Sequence, residues 1–145
     1  MNTYTFVSSI HVVVAILGLG PLMALAVLTR RPPVPAGTPR PVPPEPALRA
    51  FIRLVRLSQV SLGLMLLTGA TMIAFVHGAF GRQGWMMLSV TLFVGLGAAT
   101  ALAQRSLKNA LTTGSFDAFQ RAHRWLLGSC GILVVIGWLM EAKPF

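Results

Sequence analysis

Charge is what this chain has least of. Only 10 % of its 145 residues are Asp, Glu, Lys or Arg, against about 25 % in soluble domains. So few charges do not cover a water-facing surface, which sets aside a soluble globular fold in favour of a membrane protein. Acidic residues are the scarcest: Glu45, Asp117 and Glu141 are all there are. No Asp, Glu, Lys or Arg stands inside an apolar run, which argues against a proton-coupled transporter, an ion pump or a charge-selective pore. Cys130 is the single cysteine. It excludes an internal disulfide and any Cys-based metal motif, and within its apolar run it is expected to pack as a small hydrophobe. Also missing are a glycine-rich phosphate loop, a zinc-protease helix motif and a nucleophile elbow. Ser8, Ser9, Ser61 and Ser89 have no partner base and are expected to bond carbonyls one turn back. No catalytic residue is assigned.

What the chain has is hydrophobic length. The hydrophobic fraction is 54 % and the mean hydropathy is +0.73. Four apolar runs emerge, near residues 5–28, 57–76, 85–103 and 125–140. Each approximates the roughly 20 residues that cross a ~30 Å hydrocarbon core. None alternates in polarity, so a transmembrane barrel is excluded, and backbone groups in lipid are satisfied only within helices. The expectation is an all-α polytopic membrane protein, one four-transmembrane-helix bundle. Its helices should lie at about 5–29, 47–77, 84–110 and 117–141, with a proline-rich loop at 30–46.

Net charge is +9, and the basic residues are unevenly placed. Arg30, Arg31, Arg40, Arg49, Arg53 and Arg56 lie between the first two runs, and Arg105, Lys108, Arg121 and Arg124 between the last two. Only Arg82 and Lys143 fall on the other side. Positive loops stay in the cytoplasm, so both termini should face outward (N-out/C-out) in a multi-pass protein of the cell inner membrane. The same clustering reads the basic pI of about 11.8 as a topology signal, with no nucleic-acid partner. Ala24-Leu25-Ala26 looks like a signal-peptidase site, but no basic residue precedes the run and Arg30-Arg31 follow it. The first helix is therefore expected to be retained.

The loop RRPPVPAGTPRPVPPEP holds eight of the ten prolines. It reads as an extended, semi-rigid connector, with docking to an aromatic-lined groove as the alternative. After it, Arg49, Arg53 and Arg56 share one helix face opposite Phe51, Ile52 and Val55. That amphipathic start is expected to anchor at the interface near lipid headgroups. Pro21 should kink the first helix, and Ser115 or Asp117 should cap the fourth. Small residues recur throughout: Gly18, Ser58, Ser61, Gly69, then Gly95, Ala99 and Ala103 at four-residue spacing, then Gly128, Ser129, Gly131 and Gly137. They are expected to let the helices pack closely. Partners are then the bilayer, with other membrane proteins or further copies of the chain at such faces.

The histidines are the chemical handle. His11 stands within FVSSIHVVV, about two turns from the outer end of helix one, and Ser8, Val14, Ala15 and Gly18 share its face. That face should meet another helix, with Ser8 or a backbone carbonyl bonding the imidazole. His77 closes helix two on the same side, on a face with Gly69, Ala70, Ile73 and Ala74. Two neutral imidazoles ligate haem iron or copper, so His11 and His77 are the candidate haem b ligands. Glu141 is near enough in depth to orient His77, or simply anchors the helix end. His123, between Arg121 and Arg124, belongs to the opposite interface.

The segment FVSSIHVVVAILGLGPLMALA resembles the opening helix of a family of small bacterial integral membrane proteins of unknown function. In these an early His precedes a Gly-rich turn. RLVRL…LLTGATMIA, W…LSVTLFVGLGAA and the closing WLMEAKP follow the same layout, so the likeness covers nearly everything but the proline-rich loop. It implies a four-helix inner-membrane protein without an assigned activity. The layout is also similar to copper-resistance D-type membrane proteins and to small haem-binding protoporphyrinogen oxidases. In the latter an early helix-one His ligates haem, and His11 is the matching position. This chain departs from them in lacking a basic residue inside a later helix. Two functions follow as expectations: a non-enzymatic membrane subunit or assembly factor, and a haem- or copper-binding redox or cofactor-handling protein using His11.

Overall fold

A computed structural model describes residues 3–30, 41–75 and 84–142. Residues 31–40 of the proline-rich loop, His77, Arg82 and Lys143 lie outside that set. Four helices, α1 (Thr3–Leu28), α2 (Glu45–Phe75), α3 (Gly84–Thr113) and α4 (Phe116–Ala142), make up 93 % of the described residues, and none of these is in a strand. The shortest has 26 residues, about 39 Å at ~1.5 Å per residue. Every helix is thus long and apolar enough to cross the bilayer, and the chain is a polytopic membrane bundle.

Local chemistry explains where the helices stop. α3 runs three residues past its expected end because Gly114 adopts φ +63°, and its N–H closes on the Ala110 carbonyl at 3.0 Å. That is a left-handed C-cap, a conformation that costs a side-chain-bearing residue about 1–2 kcal/mol. α4 starts at once. The Ala118 N–H donates to Ser115 Oγ, so Ser115 is the cap and Asp117 only adds negative charge to the first turn. Pro44 accepts the first amide bonds of α2. This leaves Pro46 in the first turn, where a missing N–H costs nothing. α1 continues through Pro21 and ends at Thr29, whose hydroxyl and amide both donate to the Leu25 carbonyl.

The helices form a ring. α1 packs on α2 and α3 on α4 most extensively, narrower contacts join α2 to α3 and α1 to α4, and the backbones of the diagonal pairs stay apart among the described residues. The shared core sits at one end. Leu22 and Leu25 from the end of α1 meet Leu48 and Val55 from the start of α2. Leu107 from the end of α3 and Phe119 and Leu126 from the start of α4 complete it. Lipid supplies no hydrophobic drive between helices, so this core depends on close packing. Toward the other end packing thins. No described side chain of α1 before Gly18 or of α2 after Leu62 is fully buried, whereas α3 and α4 still bury Trp85, Ser89, Ile136 and Leu139. Away from the basic end the outward faces are largely apolar, with Ile16 at 68 % and Val134 at 65 % exposure. Water would penalise such a surface, while hydrocarbon matches it.

Among the glycines, Gly18 makes the close approach that small residues were expected to provide. A Cβ built on it would lie 2.6 Å from Ser61 Cβ, a clash that no side-chain rotation relieves. Gly20, Gly63, Gly95, Gly97, Gly128, Gly131 and Gly137 have open space there. Their backbones lie at the lipid-facing surface or beside loosely packed neighbours, so the small-residue pattern overstated the packing. Ala99 and Ala103 are buried, but Gly95 of the same row is not. Gly18→Ala should therefore cost about 1–3 kcal/mol, seen as a lower unfolding temperature in detergent, while Gly20→Ala should match or slightly exceed the parent.

Candidate functional site

His11 projects from α1 across the seam to α2, where its Nδ1 lies 2.7 Å from Thr68 Oγ1. The partner is therefore a hydroxyl on the neighbouring helix, not Ser8 or a carbonyl of its own helix. The seam explains this. Gly18 abuts Ser61, and His11 and Thr68 each stand seven residues further along antiparallel helices, so the same register presents them to each other. Beneath the ring is Gly69, whose Cβ position is 3.6 Å from His11 Cε1. An alanine there would be in ordinary contact.

The hydrogen-bond geometry favours one tautomer. Thr68 Oγ1 lies 2.9 Å from the Leu64 carbonyl and 3.2 Å from that of Met65. A carbonyl only accepts, so these two contacts draw the single hydroxyl hydrogen into α2. Thr68 Oγ1 is then the acceptor and His11 Nδ1–H the donor. In the neutral ring the Nε2 lone pair is left for a ligand. A fixed Nδ1–H and an open Nε2 is the arrangement that metal-bound imidazoles adopt.

The device recurs at the other end of α1. His123 Nδ1 lies 2.9 Å from Thr29 Oγ1, whose hydrogen goes to the Leu25 carbonyl at 2.7 Å. His123 is thus half-buried and ties α4 to α1, beyond the interfacial placing expected of it. The signal that would have found it is Thr29 itself, the last polar residue before Arg30 and level with the start of α4. His11 and Thr29 are eighteen residues apart on one helix, about 27 Å, so the two imidazoles serve opposite ends of the bundle.

His77 lies outside the described residues, as does any meeting of it with His11 or Glu141. Among the described residues no three His, Cys, Asp or Glu side chains cluster as a metal site. The buried hydroxyls of Ser58, Ser89, Thr100 and Ser129 each donate to a carbonyl three or four residues back. Of the four serines expected to bond a carbonyl one turn back, Ser9 and Ser89 do so. Cys130 packs half-buried against the core. A shallow depression of about 450 Å³ lies on the outer face of α1, lined by Thr5, Ser8, Ser9, Val12 and Val13. It does not include His11 and carries no titratable group. No family model, no curated protein and no solved structure matches the chain significantly.

Two outcomes follow from the tautomer. Nitrogen NMR of histidine-labelled protein should show Nδ1 protonated and Nε2 bare for both His11 and His123. Thr68→Val, which keeps the shape and removes the acceptor, should shift the His11 signals alone and lower stability by about 1 kcal/mol.

Proposed function

We propose that this chain is a non-enzymatic subunit or assembly factor of the bacterial inner membrane, with both termini outward and the basic end of the bundle in the cytoplasm. The carrying observation is the uneven packing: α1 before Gly18 and α2 after Leu62 fully bury no described side chain. In a membrane, helix faces of small and half-buried residues accept further helices by close contact. The basic residues at one end support the orientation. Gentle detergent extraction followed by native mass spectrometry should recover the chain with a second membrane protein or with further copies of itself. A lone monomer under the mildest conditions would overturn this reading. Tags on the two termini should both react with impermeant reagents from the outer side, and labelling of only one would refute the orientation.

A second reading rests on a different observation, the open Nε2 of His11. A haem b or copper ion held there would make the chain a redox or cofactor-handling protein, with His77 as the second ligand. The residues present fit one imidazole ligand: His11 beside Thr68, with small residues such as Gly69 next to it. The chemistry supplied by such a group would be one-electron transfer. The absorption spectrum of protein purified from haem-sufficient cells separates the readings. A Soret band lost in His11→Ala supports the second. No band and no copper by metal analysis refutes it.

A further inference from the structure

The charged residues of the folded chain are arranged as a collar. Arg30, Arg49, Arg53, Arg56, Arg105, Lys108, Arg121 and Arg124 are all exposed, and all belong to the helix ends around the shared core. Only Glu45 and Asp117 offset them there. Glu45 is already paired with Arg49, the one ion pair among the described residues. At the opposite end the only described charge is Glu141.

The collar is continuous with the lipid-facing surface. On α2, Arg53 and Arg56 stand on the same exposed stripe as Val60, Leu64 and Leu67. On α4, Arg121 and Arg124 lead into Leu127 and Val134. Each stripe therefore passes from guanidinium to hydrocarbon within one or two turns, the profile of a phospholipid from phosphate to acyl chain. Long basic side chains at such a boundary keep their stems in the apolar layer and their heads at phosphate depth. A soluble polyanion would need cations projecting clear of the bilayer, and these rise from faces that are lipid-covered one turn away.

We propose that this collar selects anionic phospholipids, and that the lipid shell at the basic end of the bundle is enriched in headgroups carrying a net-negative phosphodiester. The attraction comes from several unpaired cations acting on a mobile lipid, a long-range effect that falls off within a Debye length. The proposal needs only that the chain spans the bilayer; it does not depend on which side the collar faces or on any cofactor.

The chain carries its own reporters. Trp125 is 41 % exposed beside Arg124, Trp138 is 59 % exposed near the other end, and Trp85 is only 7 % exposed. Full-length Trp138→Phe and Trp125→Phe chains, reconstituted in phosphatidylcholine vesicles, leave one exposed reporter at each end. Phosphatidylglycerol or phosphatidylcholine brominated near the headgroup is then added as a contact quencher. The Trp125 reporter should show about fivefold preference for brominated phosphatidylglycerol, and the Trp138 reporter, at the end where the sequence places only Arg82 and Lys143, a clearly smaller one. Arg121→Gln with Arg124→Gln should reduce the preference at Trp125 at least twofold without changing helix content, and raised salt should weaken it. Equal quenching by the two lipids at Trp125 would overturn the proposal, as would an equal preference at both reporters or one indifferent to the Gln pair. Loss of the preference on adding stoichiometric RNA oligonucleotide would reassign the collar to soluble polyanions. Loss on adding millimolar inorganic phosphate would reduce it to a free-phosphate site.

Discussion

Gly18 has no side chain, and Ser61 occupies the space one would need. That contact sets the distance between α1 and α2 and, with it, their register. Seven residues away on each helix stand His11 and Thr68, and a seven-residue step returns a helix nearly to the same face. The imidazole meets a hydroxyl because the backbones are close and the steps match. With the helices held further apart, the 2.7 Å bond would be lost and the ring left without an orienting partner. Chemistry at His11 thus depends on a packing contact two turns away that contains no titratable group.

Solvent asymmetry governs the rest. At the basic end, all four helices share a core around Phe119, Leu25 and Leu107, and side chains there exclude lipid. At the His11 end, α1 and α2 bury no side chain fully among the described residues. Membrane helices gain stability from close contact and lose little when contacts are absent, because lipid tails are as apolar as their side chains. A half-open bundle is therefore stable in hydrocarbon where it would collapse in water. It leaves one end tightly packed and the other loosely packed.

Much of the architecture was legible in the residues. Four apolar runs of spanning length specify four helices, because the bilayer leaves the backbone no alternative. Their ends were less legible: Gly114 and Ser115 supply a left-handed cap and an N-cap, and these moved the α3 end by three residues. The bonding of His11 was not legible. Thr68 reads as one small residue among many, and only the register set at Gly18 makes it the partner. The Thr29–His123 bond spans 94 positions in sequence and leaves no periodic trace. The glycines misled in the opposite direction, since composition cannot say which face a small residue takes. Gly18 is pressed against a neighbour while Gly95, Gly128 and Gly131 are open.

The two histidine–threonine clamps, His11 to Thr68 and His123 to Thr29, have one more consequence. In each, Nδ1 is the donor and the threonine oxygen the acceptor. An imidazole that gains a proton gains it on Nε2 and keeps the Nδ1–H it already has. In that tautomer a proton added at Nε2 would leave both clamps in place and change only the charge on the far side of each ring.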